Sequence, residues 1–258
     1  MNQTKLKLSI VIPVRNEGVN IGIMLKILKA VLDIPHEVLI VYDDKDDDSI
    51  PAVKAMQSYY PDVRLIHNDR GAGVLNAVRC GVVSSKGDYI LLFAVDEVGP
   101  VLAIEDMISL MDEGCDLVSC TRYAYGGRRL GGSFIGGALS RLANGLFRAL
   151  SGAGFTDGTT GIKMFRKGLF EPLSLESNPA GWSAVFEMAI KARMAGATIG
   201  EVPIVSIDRL YGGKSTFSLG PWFKEYLRWF FFGIKGLRRM KGAKKDTMIK
   251  IPANIAKG

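Results

Sequence analysis

Acidic side chains follow two apolar segments of the sequence, each at the point where the segment ends. Asp43 and Asp44 come after HEVLIVY, and Asp96 and Glu97 come after YILLFAV. Carboxylates accept hydrogen bonds from ribose hydroxyls and base nitrogens, and they hold divalent cations that neutralise phosphates. One such cluster often only solvates a loop end. Two clusters at the same edge of one sheet would suit a ligand that carries both a nucleotide and a diphosphate.

The apolar segments alternate with segments of helical periodicity, which predicts a parallel sheet covered by helices on both faces. The predicted strands are 8–14, 36–42, 63–67, 88–95, 116–121 and 199–207. The predicted helices are 18–32, 49–59, 75–84, 100–111, 138–150 and 182–195. Ligands of open sheets bind outside the carboxyl ends of the strands, so both acidic clusters fall where a binding site is expected.

The composition is typical of a globular protein, with 48% hydrophobic and 23% charged residues among 258. We find no apolar stretch long enough to span a membrane, and the N-terminus resembles a strand more than a secretion signal, which favours a cytoplasmic location. Cys80, Cys115 and Cys120 lack the spacing of a metal site, so we expect buried thiols. The two histidines, His36 and His67, are interpreted as structural.

Residues 220–240 combine aromatic residues with lysines and arginines. This combination predicts a helix that lies in the headgroup region of a membrane, and the net charge of +7 agrees with an anionic surface as partner. The alternative is a helix packed on the rest of the chain or in a dimer interface. The basic tail lacks a recognised nucleic-acid-binding module, so no nucleic acid is expected. We therefore divide the chain into a domain of residues 1–218 and a C-terminal amphipathic helix with a basic tail, 219–258.

Six segments follow one another in an order that resembles inverting family 2 glycosyltransferases. They are IPVRNEGVNI, IVYDDKDDDS, NDRGAGVLNAVRCG, KGDYILLFAVDE, SCTRY and DGTTGIKMFR. The branch that they resemble most contains dolichol-phosphate mannosyltransferases and polyprenyl-phosphate glycosyltransferases. The resemblance implies the GT-A (nucleotide-diphospho-sugar transferase) fold, an α/β fold with a mostly parallel central sheet. It also implies transfer of a sugar from a GDP- or UDP-sugar to a polyprenyl phosphate by a protein peripheral on the inner face of the membrane. A homo-oligomer is left open.

The resemblance also assigns roles to individual residues. The predicted nucleotide-binding residues are Pro13, Asn16, Glu17, Asp43, Asp44, Gly71, Gly73 and Asp96. The predicted catalytic residues are Asp96, Arg122, Asp157, Arg209 and Lys214, and the predicted acceptor-binding residues are Lys163 and Ser215. Asp157 is a candidate general base if the acceptor is a hydroxyl, although it could equally fix its loop.

The metal-binding motif of the family is incomplete in this sequence. Where the family pattern reads Asp-Ala-Asp-Leu-Gln, the chain has Ala94, Val95, Asp96, Glu97 and Val98. The resemblance implies Mg²⁺ or Mn²⁺ held by Asp96, with Glu97 as a possible replacement ligand. Two alternatives are a metal held mainly by the pyrophosphate, and cationic side chains in place of a metal.

Two other functions stay open at this point. One is transfer to a saccharide or another hydroxyl, which requires a general base. The other is nucleotide-sugar binding without turnover, which the replacements Ala94 and Val98 would permit.

Overall fold

A computed structural model describes residues 6–131, 134–179, 181–207, 219–240 and 246–256 of the protein. Within these residues, the structure is organised around a central sheet of eight strands. The strands are β1 (Leu8–Val14), β2 (His36–Tyr42), β3 (Val63–His67), β4 (Tyr89–Leu92), β5 (Leu117–Thr121), β6 (Arg128–Leu130), β7 (Lys163–Arg166), β8 (Ile199–Pro203), β9 (Val205–Ile207) and β10 (Met248–Ile249). The helices are α1 (Gly18–Val31), α2 (Ser49–Met56), α3 (Val74–Ser84), α4 (Ile104–Asp112), α5 (Phe134–Ser151), α6 (Ser183–Met194), α7 (Leu219–Arg239) and α8 (Ala253–Ala256).

The strand order of the main sheet is β10-β8-β5-β7-β4-β1-β2-β3. Its pairs are parallel except those of β7, which runs antiparallel to both β4 and β5. The mostly parallel sheet is therefore confirmed. The antiparallel strand β7 in its middle was not predicted.

Both faces of the sheet are buried, because successive apolar residues of a strand point to opposite sides. Ile10 and Ile12 belong to a cluster with side chains of α1, α2 and α4, whereas Val11 belongs to a second cluster with those of α3, α6 and α7. This double burial explains why β1 and β2 are continuous apolar segments. Helices on both faces of the sheet are thus confirmed.

Several predicted elements have different limits in the structure: the helix predicted at 138–150 is longer at both ends, and the helix predicted at 49–59 ends earlier, at Met56. Three further differences have a visible cause. The strand predicted at 88–95 ends at Leu92, because a turn follows in which the amide of Glu97 donates to the carbonyl of Ala94 at 3.3 Å. The helix predicted at 100–111 begins as a 3-10 helix at Gly99. The strand predicted at 199–207 is divided at Ile204, because β9 leaves the main sheet and pairs with β6.

The C-terminal region packs onto the rest of the molecule. Trp229 of α7 is buried in the second apolar cluster, and Phe230 contacts Phe147 of α5 with ring centroids 5.5 Å apart. Strand β10 extends the main sheet beside β8. One face of α7 thus packs on the domain, as the alternative interpretation of residues 220–240 required, while the division at residue 218 stays a prediction.

Two further expectations can be compared with the structure. Cys80, Cys115 and Cys120 are free and buried, as predicted, and burial raises the pKa of Cys115 to about 11. Among the helices that the structure describes, none combines the length and the apolar character needed to cross a bilayer.

Candidate active site

The carboxyl ends of β1, β2, β4 and β5 meet at one edge of the sheet, because these strands run in the same direction. Strand β7 is antiparallel, so its first residue, Lys163, lies at that same edge, opposite Leu92 of β4 and Ser119 of β5. The loops that follow the parallel strands therefore surround one region. That region is the candidate active site.

The loop after β1 is held by the loop after β2. Asn16 has a left-handed backbone (φ 55°), and its amide donates to Asp47 Oδ2 at 3.0 Å. The amide of Glu17 donates to Ser49 Oγ at 3.0 Å. The partly buried Pro13 precedes this loop near the end of β1. The structure thus brings the predicted residues of the two strand ends side by side.

Asp43 shapes the glycine turn that precedes α3. Its carboxylate accepts hydrogen bonds from Asn68 Nδ2 at 2.7 Å and from the amide of Gly73 at 2.9 Å. Gly71 and Gly73 have φ values of +87° and +124°, which suit glycine. A Cβ atom on Gly73 would lie 2.6 Å from the carbonyl oxygen of Pro179. Asp43 therefore orders a turn whose backbone can approach a ligand closely.

Asp44 differs from its neighbour in that its side chain is exposed at the sheet edge. Its Oδ1 accepts a hydrogen bond from the amide of Asp46 at 3.0 Å. Our sequence reasoning missed two residues that organise this region, the buried Asp47 and Asn68. Asn68 directly follows β3, so the strand-end rule that selected Asp43 could have found it.

Arg122 and Asp157 form a buried bidentate ion pair after β5. Asp157 is 0% exposed and the Arg122 side chain 12% exposed, with Nε–Oδ2 and Nη2–Oδ1 distances of 2.7 and 3.0 Å. Nη2 also donates to Thr159 Oγ1 at 3.1 Å. Among the described residues, Nη1 of Arg122 meets no acceptor. The pair therefore fixes a guanidinium that still offers donors to an anion.

The charges of this pair stabilise each other. Burial alone would raise the pKa of Asp157, but the charge and hydrogen bonds of Arg122, together with Lys163, bring it below its ordinary value. Burial alone would lower the pKa of Arg122, but Asp157 raises it above its ordinary value. Asp157 is consequently a carboxylate that holds a cation, and both of its oxygens are occupied.

Lys163 lies inside the protein and not on an open pocket. It is 0% exposed, and its Nζ donates to Ser119 Oγ at 2.8 Å. Burial lowers its pKa to about 8, against the attraction of Asp157 and Glu201. The ammonium group has no exposed surface in this arrangement, and the predicted role of Lys163 in acceptor binding stays a prediction.

Glu201 of β8 anchors the loop that carries Asp157. Its fully buried carboxylate accepts from the amides of Thr156 and Asp157 at 2.7 and 3.1 Å, and from the hydroxyl of Thr156. Burial raises the pKa of Glu201, and these hydrogen bonds partly oppose the shift. Sequence reasoning missed this residue because its partners lie more than forty positions away along the chain.

The residues at the incomplete metal motif do not fit a metal held by the protein alone. Ala94 and Val98 pack against the apolar core, and Glu97 accepts a hydrogen bond from Ser206 Oγ at 3.0 Å. Asp96 is partly buried in the turn. The described part of the chain contains no cluster of three metal-ligating side chains. A divalent ion would need most of its ligands from elsewhere, such as the diphosphate of a donor.

Three predicted residues, Arg209, Lys214 and Ser215, lie outside the described residues. The last described element before them is strand β9, whose Ser206 donates a hydrogen bond to Glu97. Their predicted roles remain predictions.

Helices α5 and α7 lie beside the Arg122–Asp157 pair. Tyr123, next to Arg122, donates through its hydroxyl to Ser140 of α5 at 2.9 Å. Tyr226 of α7 stacks on Phe186 with ring centroids 6.3 Å apart, and Phe186 lies against Gly158 in the loop that carries Asp157. Burial raises the pKa of Tyr226 to about 12. The helices therefore form one wall of the candidate site.

Both helices also expose apolar side chains on their outer faces. The exposed apolar residues of α5 are Phe134, Leu139, Leu142, Leu146 and Leu150, and those of α7 are Phe223, Leu227, Phe231 and Phe232. Exposed basic side chains accompany them on the same helices: Arg141, Arg148, Lys224, Arg228, Lys235, Arg238 and Arg239. We call these two faces together the α5–α7 surface.

The sequence profile of glycosyl transferase family 2 matches residues 9–173 of this chain. With the strand-end loops, the fold and this match together, the chain belongs to glycosyl transferase family 2 and has the GT-A fold. The confirmed family explains the order of the six motifs in the sequence.

Characterised relatives are similar over most of the chain. A dolichol-phosphate mannosyltransferase of Pyrococcus furiosus is 27% identical over 231 residues, which cover 86% of this chain and 62% of the relative. A polyprenol monophosphomannose synthase of Mycolicibacterium smegmatis is 26% identical over 208 residues, covering 79% of this chain and 78% of the relative. The chain thus spans about three fifths of the length of the first relative.

The fold is also similar to that of solved structures. Glucosyl-3-phosphoglycerate synthase from Mycobacterium tuberculosis, in complex with Mn²⁺, UDP and glucosyl-3-phosphoglycerate, superimposes with a TM-score of 0.68 at 17% identity, covering 89% of this chain and 80% of that one. A further structure of that enzyme contains Mg²⁺ and UDP. At this identity the similarity establishes the fold alone.

Proposed function

We propose that this glycosyltransferase moves a sugar from a nucleoside diphosphate sugar, GDP- or UDP-linked, to a polyprenyl phosphate at the cytoplasmic face of a membrane, with inversion at the anomeric carbon. The observation that carries the proposal is the buried Arg122–Asp157 pair beside the α5–α7 surface. A fixed cation that one helix separates from an exposed apolar and basic surface suits an acceptor that is a phosphate on a lipid. The names of the two characterised relatives support the same acceptor class.

The state of Asp157 favours a phosphate acceptor over a hydroxyl acceptor. A hydroxyl must lose a proton as it attacks, and this requires a base with a free oxygen and a suitable pKa. Asp157 has neither, because both oxygens bind Arg122 and its pKa is held below the ordinary value by that cation, despite burial. A polyprenyl phosphate is already an anion, so it needs orientation by a cation and no proton transfer.

The proposed reaction is a single displacement. An oxygen of the acceptor phosphate forms a bond to the anomeric carbon while the bond from that carbon to the diphosphate oxygen breaks, and the electron pair leaves with the nucleoside diphosphate. Arg122 orients the acceptor phosphate through its open guanidinium edge. The glycine turn ordered by Asp43 and the exposed Asp44 bind the nucleotide end of the donor.

The residues of the incomplete motif allow the chain only a small part in binding a metal. Mg²⁺ or Mn²⁺ would bind together with the donor diphosphate, with Asp96 as the contribution of the chain. The presence of Mn²⁺ or Mg²⁺ in structures of a protein with the same fold supports this expectation.

A transfer assay tests the proposal. Radiolabelled GDP- and UDP-sugars are incubated with polyprenyl phosphate, and we expect label in an acid-labile product that is extracted into organic solvent. Arg122→Gln should reduce this transfer at least about a hundredfold, as loss of a fixed charge at the reacting groups does. Arg166→Gln is the control, because Arg166 lies at the opposite end of β7 and pairs with Asp116 at 3.6 Å.

Label that appears only in water-soluble saccharide would contradict the lipid acceptor. Transfer by Arg122→Gln at the rate of the unaltered protein would remove Arg122 from the mechanism.

A further inference from the structure

Asn144 connects α5 to the loop that carries Asp157. Asn144 is 4% exposed, and its Oδ1 accepts a hydrogen bond from the amide of Gly158 at 3.0 Å. Its Nδ2 donates to Thr159 Oγ1 at 2.9 Å and to the carbonyl of Ser140 at 2.9 Å. Both ends of the side-chain amide are therefore bonded to the loop.

The hydroxyl of Thr159 carries this connection to Arg122. Thr159 Oγ1 accepts from Asn144 Nδ2 and from Arg122 Nη2, and it donates to Asp157 Oδ1 at 3.1 Å. One donor and two acceptor positions are the full capacity of a hydroxyl. A single side chain thus separates Asn144 from the guanidinium and from the carboxylate that holds it.

Ser140 provides a second connection one turn earlier in α5. It accepts the hydroxyl hydrogen of Tyr123, the residue that follows Arg122 in the sequence. The inner face of α5 therefore contacts the loop after β5 at Tyr123 and, through Thr159, the guanidinium of Arg122. A displacement of this helix would move both contacts together.

The opposite face of α5 belongs to the α5–α7 surface. Leu139, Leu142 and Leu146 follow one another at spacings of three and four residues, so they share one face of the helix. At 3.6 residues per turn, Asn144 projects from the other side. The same helix consequently exposes an apolar face and holds the candidate catalytic cation.

We infer that Asn144 is a positioning residue through which contact of α5 with a lipid bilayer sets the orientation of Arg122. This inference rests on the proposed function, since it assigns the bilayer as the partner of α5. The basic side chains along α5 and α7 favour an anionic bilayer over a neutral apolar partner. Arg122 is then oriented for the acceptor phosphate when the protein is on the surface that contains the acceptor.

The variant Asn144→Asp tests the connection with little change in volume. An aspartate still accepts from Gly158, but when ionised it cannot donate to Thr159. Ser151→Ala is the matched control: Ser151 is also buried near the inner face of α5, and among the described residues its hydroxyl bonds only to the carbonyl of Phe147 and the amide of Ala153.

The first measurement is hydrogen exchange of the full chain, with and without vesicles of phosphatidylglycerol and phosphatidylcholine. In the unaltered protein and in Ser151→Ala we expect vesicles to slow exchange of the amides at 157–159. In Asn144→Asp we expect equal vesicle binding without that change. The inference is overturned if Asn144→Asp responds as the unaltered protein does, or if the vesicle-bound unaltered protein shows no response.

The second measurement is transfer to polyprenyl phosphate in the same vesicles. We expect Asn144→Asp to lower kcat about tenfold while the KM for the donor is unchanged, because a misplaced catalytic group slows the chemical step. A raised donor KM with unchanged kcat would overturn the positioning role. If the unaltered protein shows the exchange response but transfers no sugar to the lipid, the proposed acceptor is wrong and the connection through Asn144 stands.

Discussion

Four buried charges surround the candidate site and compensate one another. Arg122 pairs with Asp157, while Lys163 and Glu201 lie within electrostatic reach of that pair. Removing one partner of a buried pair costs about 3–5 kcal/mol, because the other charge remains buried without compensation. The four charges therefore stabilise the site together, and their contribution to the free energy of unfolding depends on pH.

Lys163 gives a pH-dependent prediction. Burial lowers its pKa to about 8. The pKa of an ordinary, solvated lysine is about 10.4. Between these values the unfolded chain binds more protons than the folded one, so this residue makes the free energy of unfolding rise with pH. We expect Lys163→Met to lack the rise, so that its stability relative to the unaltered protein falls by about 2 kcal/mol from pH 8 to pH 10.

Urea unfolding at a series of pH values measures this difference. Lys54→Met is the control, because Lys54 is exposed on α2. If the free energies of unfolding of Lys163→Met and of the unaltered protein differ by the same amount at every pH in this range, the pKa of Lys163 is not lowered.

The glycine turn before α3 is the element on which donor binding depends. At Gly73 the backbone is left-handed and a Cβ atom would clash with the carbonyl of Pro179. We expect Gly73→Ala to lower the affinity for GDP or UDP about tenfold or more, since strain of about 1–3 kcal/mol would displace the turn. Isothermal titration calorimetry with the nucleoside diphosphate measures the effect.

Gly114→Ala is the control that separates the clash with Pro179 from the effect of a positive φ alone. Gly114 also has a positive φ of 108°, but it has open space around its Cβ position and lies in the turn between α4 and β5. Equal loss of nucleotide affinity in both variants would show that the effect is general destabilisation and not a change in the turn.

Strands with a continuous apolar pattern could be predicted from the sequence. Elements whose burial depends on residues far away in the sequence could not. The bounds of β1, β2 and β3 agree with the prediction because their apolar segments end at polar or proline-containing loops. Strand β7, with the sequence KMFR, carries charges at both ends, so no pattern in the sequence indicates burial. Likewise, the buried amide of Asn144 has no signal in the sequence, since its role arises from Thr159 on another loop.

At the scale of the whole molecule, the excess of positive charge and the α5–α7 surface should act together. The net charge is +7, and the exposed basic side chains of α5 and α7 accompany the apolar ones. We expect the protein to bind phosphatidylglycerol vesicles and to bind them more weakly as salt increases from about 0.1 M to about 1 M, because salt screens the charges.

Leu146→Glu tests whether the apolar residues contribute to this binding. A carboxylate on the outer face of α5 should reduce vesicle cosedimentation several-fold, while Val83→Glu, on the exposed part of α3, should leave it unchanged. Unchanged vesicle binding by Leu146→Glu, together with a change from dimer to monomer in solution, would identify this face as an interface between two copies.

The antiparallel strand β7 has a consequence for the order in which the chain folds. Among the described strands, β7 alone joins the half-sheet β3-β2-β1-β4 to the half-sheet β5-β8-β10, and it is made about forty residues after β5. During synthesis the first half-sheet can therefore form from early segments, whereas β5 has no partner until β7 and β8 have left the ribosome. Such non-local pairing is slow and exposes an unpaired edge in the meantime. A nascent chain stopped before residue 163 should accordingly protect β1 to β4 from proteolysis and leave β5 susceptible to cleavage.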